Sequence, residues 1–285
     1  MVNSTQKNKL IVGIGEVFFD ILPDSRKLGG APVDFLRNAI APGVQGNLVS
    51  AIGADDLGRE VITELNKFKI KPVLSITPYP TGRVLVFNNP LNGYSAHILE
   101  NAAWDYIPFN SKAESCIKKA DAIYFDTIAL RKPYSRGTIL DLIDVADPQA
   151  YRFFDINLRH QYYNKEVIQQ LIERANILKI NTEELKTLKT LFQLTGSNED
   201  LCLTLQNQYN LQYIILTNTA KESFIWGKKG LTTVKNSKLQ QIFAYGAGNA
   251  FAGAFMSAIL NGKSQQDAHE IANNAAVEVC RLKKE

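Results

Sequence analysis

The sequence predicts an α/β protein: a mostly parallel sheet with helices on both faces, accompanied by a small antiparallel sheet. Three observations carry this. After residue 122, short apolar runs alternate with amphipathic stretches of helical length, the pattern of a parallel sheet with crossover helices. Residues 72–103 differ: short segments rich in Thr, Val, Tyr and Phe are punctuated by Pro78, Pro80, Pro90 and the hairpin pair Asn92-Gly93. The chain has 285 residues, enough for one large domain with an inserted or appended subdomain.

The elements follow in order. Residues 10–15 are apolar and β-branched and read as a buried strand. Gly29-Gly30-Ala31-Pro32 enters a helix over 33–40. Residues 43–46 are a turn and 47–53 a second strand. Residues 57–68 place Val61, Leu65 and Phe68 on one helical face, with Asp56 expected as the N-cap. Strands are expected at 122–128, 151–157, 177–180 and 213–217. Helices are expected at 133–145, 165–175, 183–192 and 199–209. Residues 224–234, with Gly227 and Gly230, read as an edge hairpin. Helices over 250–260 and 265–282 close the chain, and Asn261-Gly262 is a suitable C-cap for the first. No internal repeat or low-complexity segment is visible.

Composition excludes several function classes. The chain is 45% hydrophobic and 21% charged, with a formal charge of +4. Its basic residues are scattered, which gives no support to nucleic-acid binding. No stretch approaches the ~18–20 apolar residues of a membrane span, and residues 1–9 lack an apolar signal core. Cys116, Cys202 and Cys280 are far apart, and His97, His160 and His269 have no metal-ligand spacing. Isolated thiols in a reducing compartment, hence a cytoplasmic protein, are the expectation.

The most informative segment is Gly246-Ala247-Gly248-Asn249, ahead of an almost wholly apolar helix. A glycine-rich turn at a helix N-terminus presents backbone N–H groups to an anion. A core helix with a small-residue entry turn is the alternative. Gly13-Ile14-Gly15 lacks the third glycine of a dinucleotide fingerprint, and no GxxxxGK[ST] is present. Gly29-Gly30 would let backbone approach a ligand, or simply form a tight turn. Asp20 and Asp34 could accept from sugar hydroxyls, or cap and face solvent. Asp155, Asn157 and Arg159 end a buried strand, where ligands gather in open α/β sheets. Asn181 and Glu184 follow another strand, with a capping box as the ordinary explanation.

Together these segments resemble the ribokinase-like (PfkB) carbohydrate kinases, fructokinase-type branch, over nearly the whole chain. The specific pieces are Gly29-Gly30-Ala31-Pro32, Gly53-x-Asp55-x-x-Gly58, Asp155-x-Asn157-x-Arg159, Asn181-x-x-Glu184 and Gly246-Ala247-Gly248. The resemblance implies a single three-layer α/β/α domain over 1–285, with a small β-sheet lid from about 16–28 and 72–103. It implies sugar contacts at Asp20, Gly29, Gly30, Asp34 and Asn157, with Arg159 in the same cleft. It implies an anion hole at Gly246, Ala247 and Gly248, with Asn249 where the family has its catalytic aspartate. It assigns Asn181 and Glu184 to magnesium and phosphate, Glu184 as the metal-linked residue. It places Thr217, Thr219 and Asn273 in the nucleotide pocket. Mg2+ and ATP are the implied cofactors, a small-molecule sugar the implied ligand, and a homodimer through the lid the implied assembly.

The sequence departs from that family on the nucleotide side. Phe243 and Ala244 stand where the family has an Asp-Thr pair, and Thr219 and Glu222 where it has glycines. Asp34 replaces the usual Asn, and the chain ends without the usual Gly-Ala-containing tail. An amide at 249 is no general base near neutral pH. The expectation is a fructokinase-like protein with weak or no kinase activity that retains sugar binding. An active kinase with another base, and a non-catalytic interaction protein on the same scaffold, are the alternatives.

Overall fold

A computed structural model describes residues 8–89, 93–159, 162–218, 221–235 and 246–282. The chain begins with β1 (Lys9–Ile14), then the short strands β2 (Phe18–Ile21) and β3 (Arg26–Gly29) and helix α1 (Ala31–Ala39). Next come β4 (Val44–Gly53), α2 (Asp56–Lys67), β5 (Ile70–Thr77), and the hairpin β6 (Gly82–Asn89) and β7 (Gly93–Ile98). Helix α3 (Ser111–Ile117) leads to β8 (Ala122–Asp126), α4 (Pro133–Asp144), β9 (Tyr151–Asp155), α5 (Lys165–Arg174) and β10 (Ile177–Asn181). Helices α6 (Thr182–Leu191) and α7 (Asn198–Gln208) precede β11 (Tyr213–Asn218), β12 (Glu222–Gly227) and β13 (Gly230–Lys235). The last helices are α8 (Ala247–Leu260) and α9 (Gln265–Leu282).

Among the described residues, nine strands form one sheet in the order β13-β12-β11-β10-β9-β8-β1-β4-β5. It is parallel from β11 to β5, and the β12–β13 hairpin is added antiparallel at one edge. Alternate residues of each strand point to opposite faces, and two cores result. Phe125, Phe154, Ile180 and Leu216 lie in the core that also holds Ile117, Leu142, Leu171 and Leu188 from α3, α4, α5 and α6. Tyr124, Phe153, Ile177 and Ile215 lie in the other, with Phe35 of α1, Val61 of α2, Phe251 of α8 and Ala268 of α9. This two-sided arrangement is the expected three-layer fold.

The small sheet runs β3-β2-β6-β7. It is two antiparallel hairpins joined by a parallel pairing of β2 with β6, so it is mixed rather than wholly antiparallel. It also starts later than the expected 72–103. Residues 70–77 are β5, which pairs in parallel with β4 at the edge of the large sheet. An edge strand tolerates Pro72, so the run that opens the expected small sheet belongs to the large one.

Other boundaries shift by a few residues. The N-cap of α2 is Asp55, not Asp56: its side chain accepts from Gly58 N at 2.8 Å and also from Thr81 Oγ1 at 2.6 Å. Asp55 therefore joins the start of α2 to the entry of β6. Helix α8 begins at Ala247 rather than 250, which brings Gly248 and Asn249 into its first turn. Helix α3 was not expected; it is short and capped by Asn110.

His269 pins α9 to the edge hairpin. Its ring nitrogens lie 2.8 Å from Ser223 Oγ and 2.8 Å from Thr232 Oγ1, and its ring meets Phe251 edge-on. Burial pulls its pKa from 6.5 down to about 4. The neutral ring therefore contributes stability that is complete above the unfolded value and lost as pH falls from 6.5 towards 4. The loss should be about 3 kcal/mol. Urea unfolding at pH 7 and pH 4.5 should show it in the native protein. In His269→Gln the pH dependence should shrink by a similar amount; an unchanged dependence would remove this histidine as its cause.

Candidate active site

The parity of the central strands places a polar cluster at their carboxyl ends. Tyr124 faces the layer that holds α1 and α8, so Asp126, two residues on, faces it too. The same holds for Phe153 and Asp155, for Ile177 and Lys179, and for Ile215 and Thr217. Lys179 and Asp155 stand opposite each other in the β9–β10 register. Lys179 Nζ lies 3.0 and 2.9 Å from the two carboxylate oxygens of Asp155, and both side chains are buried.

Helix α8 ends on this cluster. Its N-cap, Gly246, has φ 93°, a left-handed conformation that favours glycine. The first intrahelical bond is Ala250 N to Gly246 O at 2.9 Å, so the N–H groups of Ala247, Gly248 and Asn249 have no acceptor within the helix. A Cβ on Gly248 would lie 3.2 Å from Lys179 Nζ, which puts the ammonium against this turn. A Cβ on Gly246 would lie 3.9 Å from Asp34 Oδ2. Asn249 Oδ1 accepts from the hydroxyl of Tyr124 at 3.4 Å. Burial, and after it the charge of Asp155, holds that phenol well above its ordinary pKa, so it stays a donor. The turn therefore gathers backbone donors and a buried cation, with Asp34 at its edge.

Helix α1 packs against α8 and brings its own entry turn to the same place. Glu16 Oε1 accepts from Ala31 N at 2.6 Å, at the head of α1. Gly30 has φ 121°, and a Cβ there would fall 2.4 Å from Glu16 O, so this turn requires glycine. Asp34 pairs with Arg37 at 2.9 Å, and Arg37 also donates to Leu28 O and stacks over Phe68. Asp20 Oδ2 lies 3.1 Å from where a Gly29 Cβ would stand. The expected sugar-side residues Asp20, Gly29, Gly30 and Asp34 thus meet around one α1 entry.

The turn after β9 is braced from two sides. Asn157 has φ 43°; its Nδ2 donates to Asp126 Oδ2 at 2.7 Å and its carbonyl accepts from Thr127 Oγ1. Leu158 N donates to Glu184 Oε1 at 3.1 Å, and Arg159 is half-buried beside them. Burial pushes Asp126 up to about 7. Burial, then the charge of Asp126, raises Glu16 well above the carboxylate range. Burial, then Asp155, raises Glu184.

Asn181 and Glu184 form a capping box at the head of α6. Asn181 Oδ1 accepts from the N–H groups of Glu183 and Glu184, and Glu184 Oε2 accepts from Asn181 N. Both oxygens of Glu184 are thus engaged by backbone donors. No group of three His, Cys, Asp or Glu suited to a metal ion occurs among the described residues.

Of the residues expected in a nucleotide pocket, Thr217 pairs in register with Asn181. Asn218 Nδ2 donates to Glu222 Oε1 at 3.1 Å across the β11–β12 turn, which engages that carboxylate locally. Asn273 is buried on α9. Thr219, Phe243 and Ala244 lie outside the described residues. Sequence reasoning missed Glu16, Tyr124, Asp126 and Lys179. For Tyr124, Asp126 and Lys179 a polar residue inside an apolar strand was the available signal, because burial in a parallel sheet demands a partner; Glu16 lies in the short link after β1 and had no such signal.

Comparisons with known proteins bear on this arrangement. The model of the pfkB family carbohydrate kinases matches residues 24–284. A sugar kinase of Pyrococcus horikoshii is 25% identical over 274 residues, covering 88% of this chain and 83% of that one. The 5-dehydro-2-deoxygluconokinase of Listeria monocytogenes is 24% identical over 263 residues, covering 88% and 80%. Among solved structures, fructokinase from Vibrio cholerae in its fructose, ADP and calcium ion bound form superposes with a TM-score of 0.78. It is 20% identical and covers 95% of this chain and 92% of that one. No helix among the described residues is long and apolar enough to cross a membrane.

Proposed function

The chain belongs to the pfkB family of carbohydrate kinases, and on that footing we propose that it binds a sugar between the small sheet and the main domain, where the entry turns of α1 and α8 meet, and transfers phosphate to it weakly or not at all. One observation carries the second half. The side chain at the third position of α8 is an amide, Asn249, whose oxygen already accepts from Tyr124. An amide does not take a proton from a sugar hydroxyl. Of the neighbouring carboxylates, Asp155 is paired with Lys179 and both oxygens of Glu184 accept from backbone.

The rest of the site suits carbohydrate and phosphate. Asp20 and Asp34 offer acceptors to hydroxyls at the α1 entry. The N–H groups of Ala247, Gly248 and Asn249, with Lys179 behind them, suit a phosphoryl group. ATP with a divalent cation would supply that group. Arg159, half-buried at the same strand ends, would add positive charge. Phosphoryl transfer rests on positioning and charge, and loss of the base alone lowers a rate by ~10²–10⁴-fold. The relatives named above point to a hexose or a related sugar acid as the ligand class.

Calorimetry with fructose, ribose and ATP separately, each with magnesium, tests this. Sugar binding with weak or undetectable ATP binding is the expected result. Micromolar ATP affinity together with sugar-dependent ADP release would overturn it in favour of an active kinase using another base.

A further inference from the structure

We propose that Asp126 is a positioning residue for the cleft: its ionised carboxylate holds the Asn157 amide in one orientation, with Oδ1 as the end offered to a ligand. The consequence for ligand binding rests on the sugar-binding reading above.

Asp126 closes β8 and is buried. Both of its oxygens act as acceptors, Oδ1 from Ile128 N at 2.9 Å and Oδ2 from Asn157 Nδ2 at 2.7 Å. Asn157 is unusual in its own right, a non-glycine residue with φ 43°. Its carbonyl is held by Thr127 Oγ1 at 3.2 Å. Consecutive residues at the end of β8 thus grip the Asn157 backbone and the nitrogen end of its side chain. The carbonyl end of that side chain is what remains to meet a ligand, at the strand ends where Arg159 and Asp155 also sit.

An amide gripped through its nitrogen presents an acceptor; gripped through its oxygen, it presents a donor. A protonated Asp126 carries an O–H that must find an acceptor, and Asn157 Oδ1 is the nearest after a half-turn of the amide. Protonation therefore inverts what Asn157 shows to the cleft. Burial raises the Asp126 pKa most, and the hydrogen bonds from Asn157 and Ile128 oppose it; beyond these, Asp155 on β9 disfavours its charge and Arg159 beyond β9 favours it. Glu16, beyond β1, is coupled to it. Glu16 Oε2 is buried with no partner among the described residues. Burial, then the charge of Asp126, raises Glu16 well above the carboxylate range and favours its neutral form. Asp126 is then left to titrate near neutrality, at about 7.

Side-chain amide NMR on protein labelled at asparagine nitrogen tests the proposal without a ligand. The Asn157 signals, assigned by their loss in Asn157→Asp, should titrate between pH 5.5 and 8.5 with a midpoint near 7. In Asp126→Asn the titration should vanish. Signals invariant with pH in the native protein, or titrating unchanged in Asp126→Asn, would overturn the role. The native titration needs no variant to fold. Fructose calorimetry at pH 6 and pH 8 adds the second arm: affinity should fall ~3–10-fold at the lower pH, the worth of one hydrogen bond, and should be flat in Asp126→Asn. Amide signals that titrate as expected in a protein that binds no sugar would keep the positioning role and overturn the sugar reading. Sugar binding with untitrating amide signals would do the reverse.

Discussion

Lys179→Met should lower the unfolding free energy by about 3–5 kcal/mol, the cost of leaving one partner of a buried ion pair alone. The ammonium lies within 3.0 Å of both Asp155 oxygens, and the two side chains are 6% and 3% exposed. Methionine fills similar volume, so the cavity contribution is small. What remains is a buried Asp155 carboxylate whose neighbours include the carboxyls of Asp126 and Glu184. Urea unfolding of the ligand-free protein measures the loss. The pair is isolated by a cycle with Asp155→Asn, which removes the stranded charge. The double variant should recover part of the stability of Lys179→Met. Strict additivity of the two single losses would mean that something other than the pair sets the effect. The same lysine sits against Gly248, so the variant should also weaken any anion bound at the head of α8.

That lysine shows where the sequence was legible and where it was not. Strand–helix alternation is a local signal, and it gave the layered sheet, because each parallel strand must be apolar on both faces and each crossover helix on one. The turns at Gly29-Gly30 and Gly246-Ala247-Gly248 were legible because glycine at a helix entry has few local explanations. Lys179 was read as part of a buried strand. Its meaning comes from the β9–β10 register, which pairs it with Asp155, and register between parallel strands is set by the whole sheet rather than by either segment. Tyr124 and Asp126 were hidden in the same way, within a strand buried along its whole length. The start of the small sheet was misplaced for the opposite reason. The Thr- and Val-containing run at 70–77 looks locally like the short strands that follow it, and only its pairing with β4 assigns it to the edge of the large sheet. Asn181 and Glu184 had two readings in the sequence, and the hydrogen bonds make the capping box real without excluding a ligand nearby.

Asn249→Asp should fold normally and still release ADP with fructose below the ~1–100 s⁻¹ range of working kinases. Folding should be unharmed because a carboxylate in the first turn of α8 interacts well with the helix N-terminus, by about 0.3–1 kcal/mol. The hydroxyl of Tyr124 donates to Asn249 Oδ1 and serves a carboxylate oxygen equally well, which leaves the other oxygen for a substrate proton. The variant therefore regains an acceptor at the head of α8. It does not regain the other residues that the resemblance implies. Thr219 and Glu222 still stand where the resemblance implies glycines, and Phe243 and Ala244 where it implies an acid and a hydroxyl. Glu222, held by Asn218, adds a carboxylate where the resemblance implies a glycine near the triphosphate. Repulsion at that range is worth more in a partly buried cleft than in water. A base corrects proton transfer alone, while charge stabilisation and positioning dominate phosphoryl transfer. The measurement is a coupled assay for ADP release with fructose, run on the native protein and the variant at equal concentration. A rate for the variant within the working range would show that Asn249 is the sole lesion. Paired with Glu222→Gly, the base should gain more than it does alone; equal gains with and without that second change would locate the remaining defect outside the β11–β12 turn.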